Sequence, residues 1–369
     1  MDTLFSFIFY AGAFIVALSV LVFIHEWGHY IVARMCGVRV EVFSIGFGRE
    51  IWGWTDRKGT RWKISYIPLG GYVKFFGDAS AASTPDGSLP HMSEEERKVA
   101  FHYKSLPQRA AIVFAGPFAN LLLAVLILAS FYITFGQIYT PPIVDEVVPG
   151  SPAEQAGLQP NDRIVSVDGV AVESFNDIKT RIMLNLEEPV SLEIDRGGRL
   201  IEVSLTPRLE EVDDGYGNIQ RVALIGVRSV GRSEIRELSV PAAFWAGVER
   251  TWDIIQMSFR GLGQILFGDR SAKELGGPIK IAQVVSQSAE QGIFSYISII
   301  AMISINLGII NLLPIPMLDG GHLLFYGFEA ALGRKLSEKT QELGFRIGLI
   351  LILGLMVFAT LNDIMGLVG

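Results

Sequence analysis

One cysteine, Cys36, stands in 369 residues. That excludes an internal disulfide and a cysteine-based zinc knuckle. Charge is also scarce: 19% of residues are charged and 50% are hydrophobic, which suits a polytopic membrane protein with one soluble insert. A basic excess is missing, since the formal net charge is -7, and this argues against nucleic acid as a partner. Histidine is limited to His25, His29, His91, His102 and His322, so a metal site has few nitrogen ligands to draw on. Met1-Asp2-Thr3 lacks a basic n-region and no small-residue cleavage pattern precedes His25. The first apolar run therefore reads as a retained anchor rather than a cleaved signal.

Long apolar runs are what the chain has in abundance. Leu4–Ile24, Ala110–Phe135 and Ile293–Leu318 are each long enough to span a bilayer. A fourth, Ile347–Asn362, is short unless Leu343-Gly344-Phe345 join it and Arg346 snorkels. Segment 34–109 carries 12 Lys+Arg against 8 Asp+Glu, whereas 136–292 carries 15 against 23. Gly136 to Gln155 holds no basic residue at all. By the positive-inside rule both termini and 136–292 lie outside, and 34–109 is cytoplasmic. The ends of the first and third spans then reach the same cytoplasmic-side depth.

The insert begins near Gly136. Ile143–Leu158 reads strand, turn and short helix, and Asn161–Gly169 reads strand and tight turn. Asn176–Asn185 reads as helix, with strands at Val190–Ile194 and Ile201–Leu205. Residues 206–235 read as irregular with one strand near Val222–Val227, and Phe244–Phe267 reads as an amphipathic helix on the bilayer or against the spans. The alternation of Trp62–Phe76 around Gly70-Gly71 reads as a β-hairpin whose edge can pair with an extended peptide.

His25-Glu26-Trp27-Gly28-His29 closes the first apolar run. H-E-x-x-H sets two imidazoles one helical turn apart, the spacing of two zinc ligands, with the glutamate between them a general base. Soluble zinc hydrolases carry these residues on a wet helix. Here they end a membrane span, where ionisable groups are costly to keep and usually functional. A catalytic zinc needs a third protein ligand. Pro314 and Pro316 break the third run just before Asp319-Gly320-Gly321, which makes Asp319 the leading candidate. His322 is its rival.

H-E-x-x-H on a first span together with Asn311-Leu312-Leu313-Pro314-Ile315-Pro316-Met317-Leu318-Asp319-Gly320 on a later one resembles the site-2 protease family of intramembrane zinc metalloproteases. Phe43–Gly48, Ile67–Lys74 and Ala115-Gly116-Pro117-Phe118-Ala119-Asn120 are similar to the bacterial regulator-of-sigma-E protease branch. There is room for a single PDZ-like domain.

The resemblance implies a polytopic α-helical membrane protein of about four transmembrane helices, with an inserted α+β PDZ-like domain and a cytoplasmic-side β-hairpin. The divisions are 1–35, 36–106, 107–135, 136–208, 209–292, 293–322 and 343–366. It implies one catalytic Zn2+ held by His25, His29 and Asp319, with Glu26 moving the proton. It implies substrate contacts from Asn311 and from Gly70, Gly71 and Val73 of the hairpin, and substrate or site support from Asn120. The implied partners are single-pass membrane proteins (anti-sigma factor-like proteins or remnant signal peptides) and the bilayer of a bacterial inner membrane.

Other readings stand beside this one. His91 and His102 read as solvated, and Cys36 as inert. The insert reads either as a binder of C-termini or as a size filter. A metal-ion transporter would also place His, Glu and Asp in a membrane, but inverted repeats are missing. A catalytically idle PDZ scaffold is the third alternative.

Overall fold

The computed structural model describes residues 2–78, 91–184, 188–213, 219–230, 234–267 and 276–368. Two compact units emerge, one of Met1–Leu128 with Leu275–Gly369 and the other of Ala129–Glu274. In chain order the first unit opens with α1 (Asp2–Met35), β1 (Val40–Thr55), β2 (Arg61–Phe75), α2 (Glu94–Val99) and α3 (Leu106–Phe135). Ser93 and Glu96 form a reciprocal capping box at the start of α2.

The β-hairpin exists, but its turn is not at Gly70-Gly71. It lies at 56–60, where the Asp56 carboxylate accepts from the backbone N–H of Lys58 (2.8 Å) and Thr60 (3.0 Å). Both strands bend, with Gly46 at φ +86° and Gly70 at φ +98°, values that favour glycine. Bending lets β1 meet β2 on both of its edges. Val40↔Phe75, Phe43↔Val73 and Ile45↔Gly71 pair on one side, and Phe43↔Trp62, Ser44↔Lys63 and Ile45↔Ile64 on the other. Residues 71–75 therefore form an outer edge of the sheet. Alternation alone cannot reveal this, because it is equally satisfied by a strand that bends.

The insert contains β3 (Gln137–Tyr139), β4 (Glu146–Val147), α4 (Pro152–Gln155), β5 (Arg163–Val167), β6 (Val170–Ala171), α5 (Phe175–Leu184), β7 (Val190–Arg196) and β8 (Arg199–Leu205). After these come β9 (Arg208–Asp213), β10 (Ile219–Leu224), β11 (Val227–Arg228), β12 (Glu234–Arg236) and α6 (Val240–Phe267). An antiparallel sheet runs β6-β5-β7-β8. Ile164, Leu192 and Ile194 alternate inward from it onto Ile178 and Ile182 of α5. This core continues beyond Arg208. Ala223 and Ile225 are buried within it, and Leu209 and Val227 pack against it. The stretch expected to be irregular thus holds strands of the same core. Asn185, the expected end of α5, lies outside the described residues.

The first unit resumes with α7 (Pro278–Glu290), α8 (Ile293–Leu312), α9 (Asp319–Leu332) and α10 (Glu338–Val368). Among the described residues, four helices are long and apolar enough to cross a membrane: Ile8–Met35, Leu106–Phe135, Ile293–Leu312 and Lys339–Gly366. The chain is a polytopic helical membrane protein with an inserted β-rich unit. Apolar residues of α10, among them Ile350, Leu355 and Val357, are exposed, as lipid-facing side chains are. Arg346 pairs with Glu342 one turn earlier, at 2.6 Å.

As a helix, the third run stops where its two prolines are expected to break it. It ends at Leu312, and 313–318 makes a turn closed by Leu318 N–H to Ile315 C=O (3.0 Å) before α9 begins at Asp319. Pro314 and Pro316 supply no N–H and bias the residues before them to extended backbone. α7 was not foreseen. Pro278 opens it at a position that suits proline. Its first N–H groups are capped from another helix: Asp363 of α10 accepts from Gly277 (2.8 Å), Ile279 (3.0 Å) and Lys280 (3.1 Å).

Candidate metal centre

α1 ends in a second core of the first unit. There Ala33, Val38, Phe43, Val73, Phe75, Phe101 and Ile112 are buried together with Tyr326 of α9. Close approach to α3 is permitted by small residues. A Cβ on Gly28 would collide with the carbonyl of Ala115, and one on Gly116 with the His29 imidazole. His29 is thereby held against α3, where its Nδ1 lies 2.8 Å from the carbonyl oxygen of Ile112. A carbonyl only accepts, so Nδ1 carries the proton and the Nε2 lone pair is free.

Asp319 opens α9 directly after the proline turn. Side chains at Gly320 and Gly321 would strike the backbone of Leu312, Leu313 and Ile315. These glycines let the chain fold back on itself and aim the carboxylate at α1. A Cβ on Gly348 of α10 would likewise collide with the carbonyl of Pro316, so α10 buttresses the turn from behind.

His25, His29 and Asp319 each offer a ligand atom, all within 4.8 Å of one another. His25 Nε2 lies 3.1 Å from Asp319 Oδ2, His29 Nε2 lies 3.6 Å from Asp319 Oδ1, and the two Nε2 atoms are 3.2 Å apart. Ligands about 2.1 Å from a tetrahedral zinc sit about 3.4 Å from each other, close to the approaches seen here, with each imidazole meeting a different oxygen of the Asp319 carboxylate. Two inward imidazole lone pairs at this distance repel unless a cation or proton lies between them. The donor set of two neutral nitrogens and one hard carboxylate oxygen, with the fourth direction open to a cavity, is that of a catalytic zinc site.

That cavity measures about 290 Å³ and is lined by all three ligands with Glu26, Gly71, Val73, Asn311 and His322. Glu26 faces the edge strand, with its carboxylate within hydrogen-bonding reach of the Val73 N–H. Of the residues expected at the site, Gly71, Val73 and Asn311 line the cavity. Gly70 does not, and packs instead against the Phe47 ring at the strand bend. Asn120 is fully buried beside His25. His322 lines the cavity beside the Phe345 ring and is not part of the three-residue cluster.

His102 is not solvated. Its Nε2 lies 2.9 Å from the buried Asp78 carboxylate, and its carbonyl accepts from Lys335. Patterning also missed the buried pair of Arg109 with Glu329 (2.7 Å) beneath the site. No local signal marks it, because its partners are brought together from two helices far apart in the chain.

The family profile described as Peptidase family M50 matches residues 13–355. Among curated relatives, a protein of Agrobacterium fabrum whose name describes a zinc metalloprotease is 45% identical, covering 98% of this chain and 97% of its own. Metalloprotease MmpA of Caulobacter vibrioides is 40% identical, covering 94% and 93%. Among solved structures, the PDZ domain of an SdrC-like protein from Listeria monocytogenes shares 21% identity over 27% of this chain and 92% of that one, at a TM-score of 0.20, too low to bear on the fold. With the ligand cluster at the end of its first span, this chain belongs to peptidase family M50, the membrane zinc metalloendopeptidases of site-2 protease type.

Proposed function

We propose that this enzyme cuts single-pass membrane proteins within or near the bilayer, and that His25, His29 and Asp319 hold its one catalytic zinc. The observation that carries the reading is a hydrolytic ligand set opening into a cavity walled by the outer strand of the hairpin, at the end of a membrane helix. A peptide bond inside a substrate helix is protected by its own hydrogen bonds, so the substrate must be held extended to be cut. The outer edge at 71–73 offers backbone for such pairing, and the Phe75 N–H beyond it is held by the Asp78 carboxylate at 3.2 Å.

A zinc ion bound here would act as a Lewis acid toward the scissile carbonyl and make the attacking water more acidic. Glu26 takes the proton of that water as its oxygen bonds to the carbonyl carbon, and returns it to the amine nitrogen as the C–N bond breaks. The Val73 N–H orients the Glu26 carboxylate for both transfers. Asn311, on the last turn of α8, hydrogen-bonds the substrate backbone or the developing oxyanion.

The charge pattern supports both termini and the insert outside a bacterial inner membrane, with the site toward the cytoplasmic side. Substrates of the anti-sigma factor kind, already trimmed outside, and remnant signal peptides suit such an enzyme. The insert then acts as a PDZ-like filter against bulky ectodomains. Fusing a folded domain to the outer end of a cleavable substrate should block cutting, and equal rates would remove the filter.

Purified protein with a single-pass substrate tests the central reading. Cleavage should stop with a chelator and in Glu26→Gln, while that variant keeps its zinc. Cleavage persisting in Glu26→Gln, or wild type that cuts nothing while passing metal across vesicles, would overturn it.

A further inference from the structure

α3 enters the metal centre with two polar groups, and only one has a settled partner. Ile112 C=O takes the Nδ1–H of His29. Two turns further along, the Asn120 side chain lies 3.1 Å from Nδ1 of His25. Asn120 has no exposed surface, and the other atom of its amide has no partner among the described residues. A buried amide inside an apolar span is costly unless hydrogen bonds compensate it. Its backbone is pinned as well, since its carbonyl accepts from the Ser304 hydroxyl of α8 at 2.8 Å.

The two amide orientations differ chemically. With the NH2 group toward the ring, Nδ1 of His25 accepts and its proton sits on Nε2, the atom that faces His29 and Asp319. With the carbonyl oxygen toward the ring, Nδ1–H donates and the Nε2 lone pair is free. Only the second matches the state that Ile112 imposes on His29. Oxygen and nitrogen of an amide are assigned from such partners, so the ring chemistry selects the orientation.

We propose that α3 supplies the outer shell of the metal centre, and that Asn120 is a positioning residue that fixes the tautomer and plane of His25. The Ala115-Gly116-Pro117-Phe118-Ala119-Asn120 segment then has one coherent use. Gly116 makes room for His29, and Asn120, one turn on, locks His25. Histidine ligands commonly donate their second N–H to such a partner, and losing it weakens metal binding about 10–100-fold.

The inference rests on the zinc site proposed above. Its test is zinc affinity of the full-length protein in detergent, measured by chelator competition, together with the visible spectrum of the cobalt(II)-substituted form. Asn120→Ala should weaken zinc binding about 10–100-fold and alter the cobalt bands. Asn120→Asp, whose carboxylate can only accept from Nδ1–H, should restore both. Wild-type affinity and bands in Asn120→Ala, with only KM raised, would assign the amide to substrate and overturn the proposal. Should Asn120→Ala fail to fold, folded Asn120→Asp without zinc overturns it equally. Wild type that binds no zinc would end the metal reading itself, a result separable from the others.

Discussion

Gly116 lies so close against the His29 imidazole that a single added carbon would occupy the ring's place. The metal site is therefore shaped from behind by what α3 lacks. Gly116→Ala should push the ring off its Ile112 partner and weaken zinc binding by about tenfold or more. Zinc retention during dialysis against a chelator measures this, and retention equal to wild type would mean that the helices part without cost.

Val73 sits on the strand edge facing Glu26. Proline there removes the N–H within reach of the Glu26 carboxylate and disturbs the edge offered to substrate. Cleavage should drop by about tenfold or more, in the range a misaligned general base loses, while zinc content stays at the wild-type level. Unchanged cleavage in Val73→Pro would deny the edge any part in the reaction.

The ion pair of Arg109 with Glu329 is buried, with Arg109 stacked on the Tyr326 ring at 4.7 Å. It ties α9, and hence Asp319, to the start of α3. Removing one partner leaves the other charge buried and alone, so Glu329→Ala should destabilise the protein by about 3–5 kcal/mol. Replacing both with Arg109→Met and Glu329→Leu should cost much less. Thermal melts in detergent separate the cases, and equal losses would show that volume rather than charge matters here.

At the hairpin turn, burial alone would raise the Asp56 carboxyl, but the Trp62 indole N–H and the backbone N–H groups of Thr60 and Lys58 outweigh it and hold it below the usual carboxylate value. A group more acidic when folded contributes its full stability near neutrality and loses it as pH falls through and below the carboxylate range. Acid should therefore loosen the turn, seen as a shift of the Trp62 indole N–H resonance that is absent in Asp56→Ala. A resonance that ignores pH would contradict the assignment.

A hydrolase and a transporter ask different things of the same atoms. A transporter needs groups that bind and release an ion along a path. Here a proline turn, two glycines and α10 fix Asp319 from several sides, which suits a resident ion.

Much of this was legible in the sequence for physical reasons. A span needs about 20 apolar residues, so the runs holding α1, α3 and α8 announce themselves. A two-histidine face needs a fixed helical spacing, and Pro314 and Pro316 must end α8. What escaped depends on contacts between distant segments. Gly46 and Gly70 bend the strands so that β1 is paired on both edges, which alternation cannot encode. α7 is short and mixed in polarity, and the Asp363 side chain that caps it lies more than 80 residues away. The partner of His102 is a buried carboxylate on another segment, so a polar neighbourhood in sequence misrepresented its surroundings.

X-ray absorption at the zinc edge, with metal counted per chain, examines the ligand set most directly. Wild type should hold one zinc with two imidazole nitrogens and a carboxylate oxygen at about 2.0–2.2 Å, and Asp319→Ala should lose the ion or take a visibly different first shell. One zinc per chain in Asp319→Ala, with a spectrum identical to wild type, would show that the metal is held elsewhere.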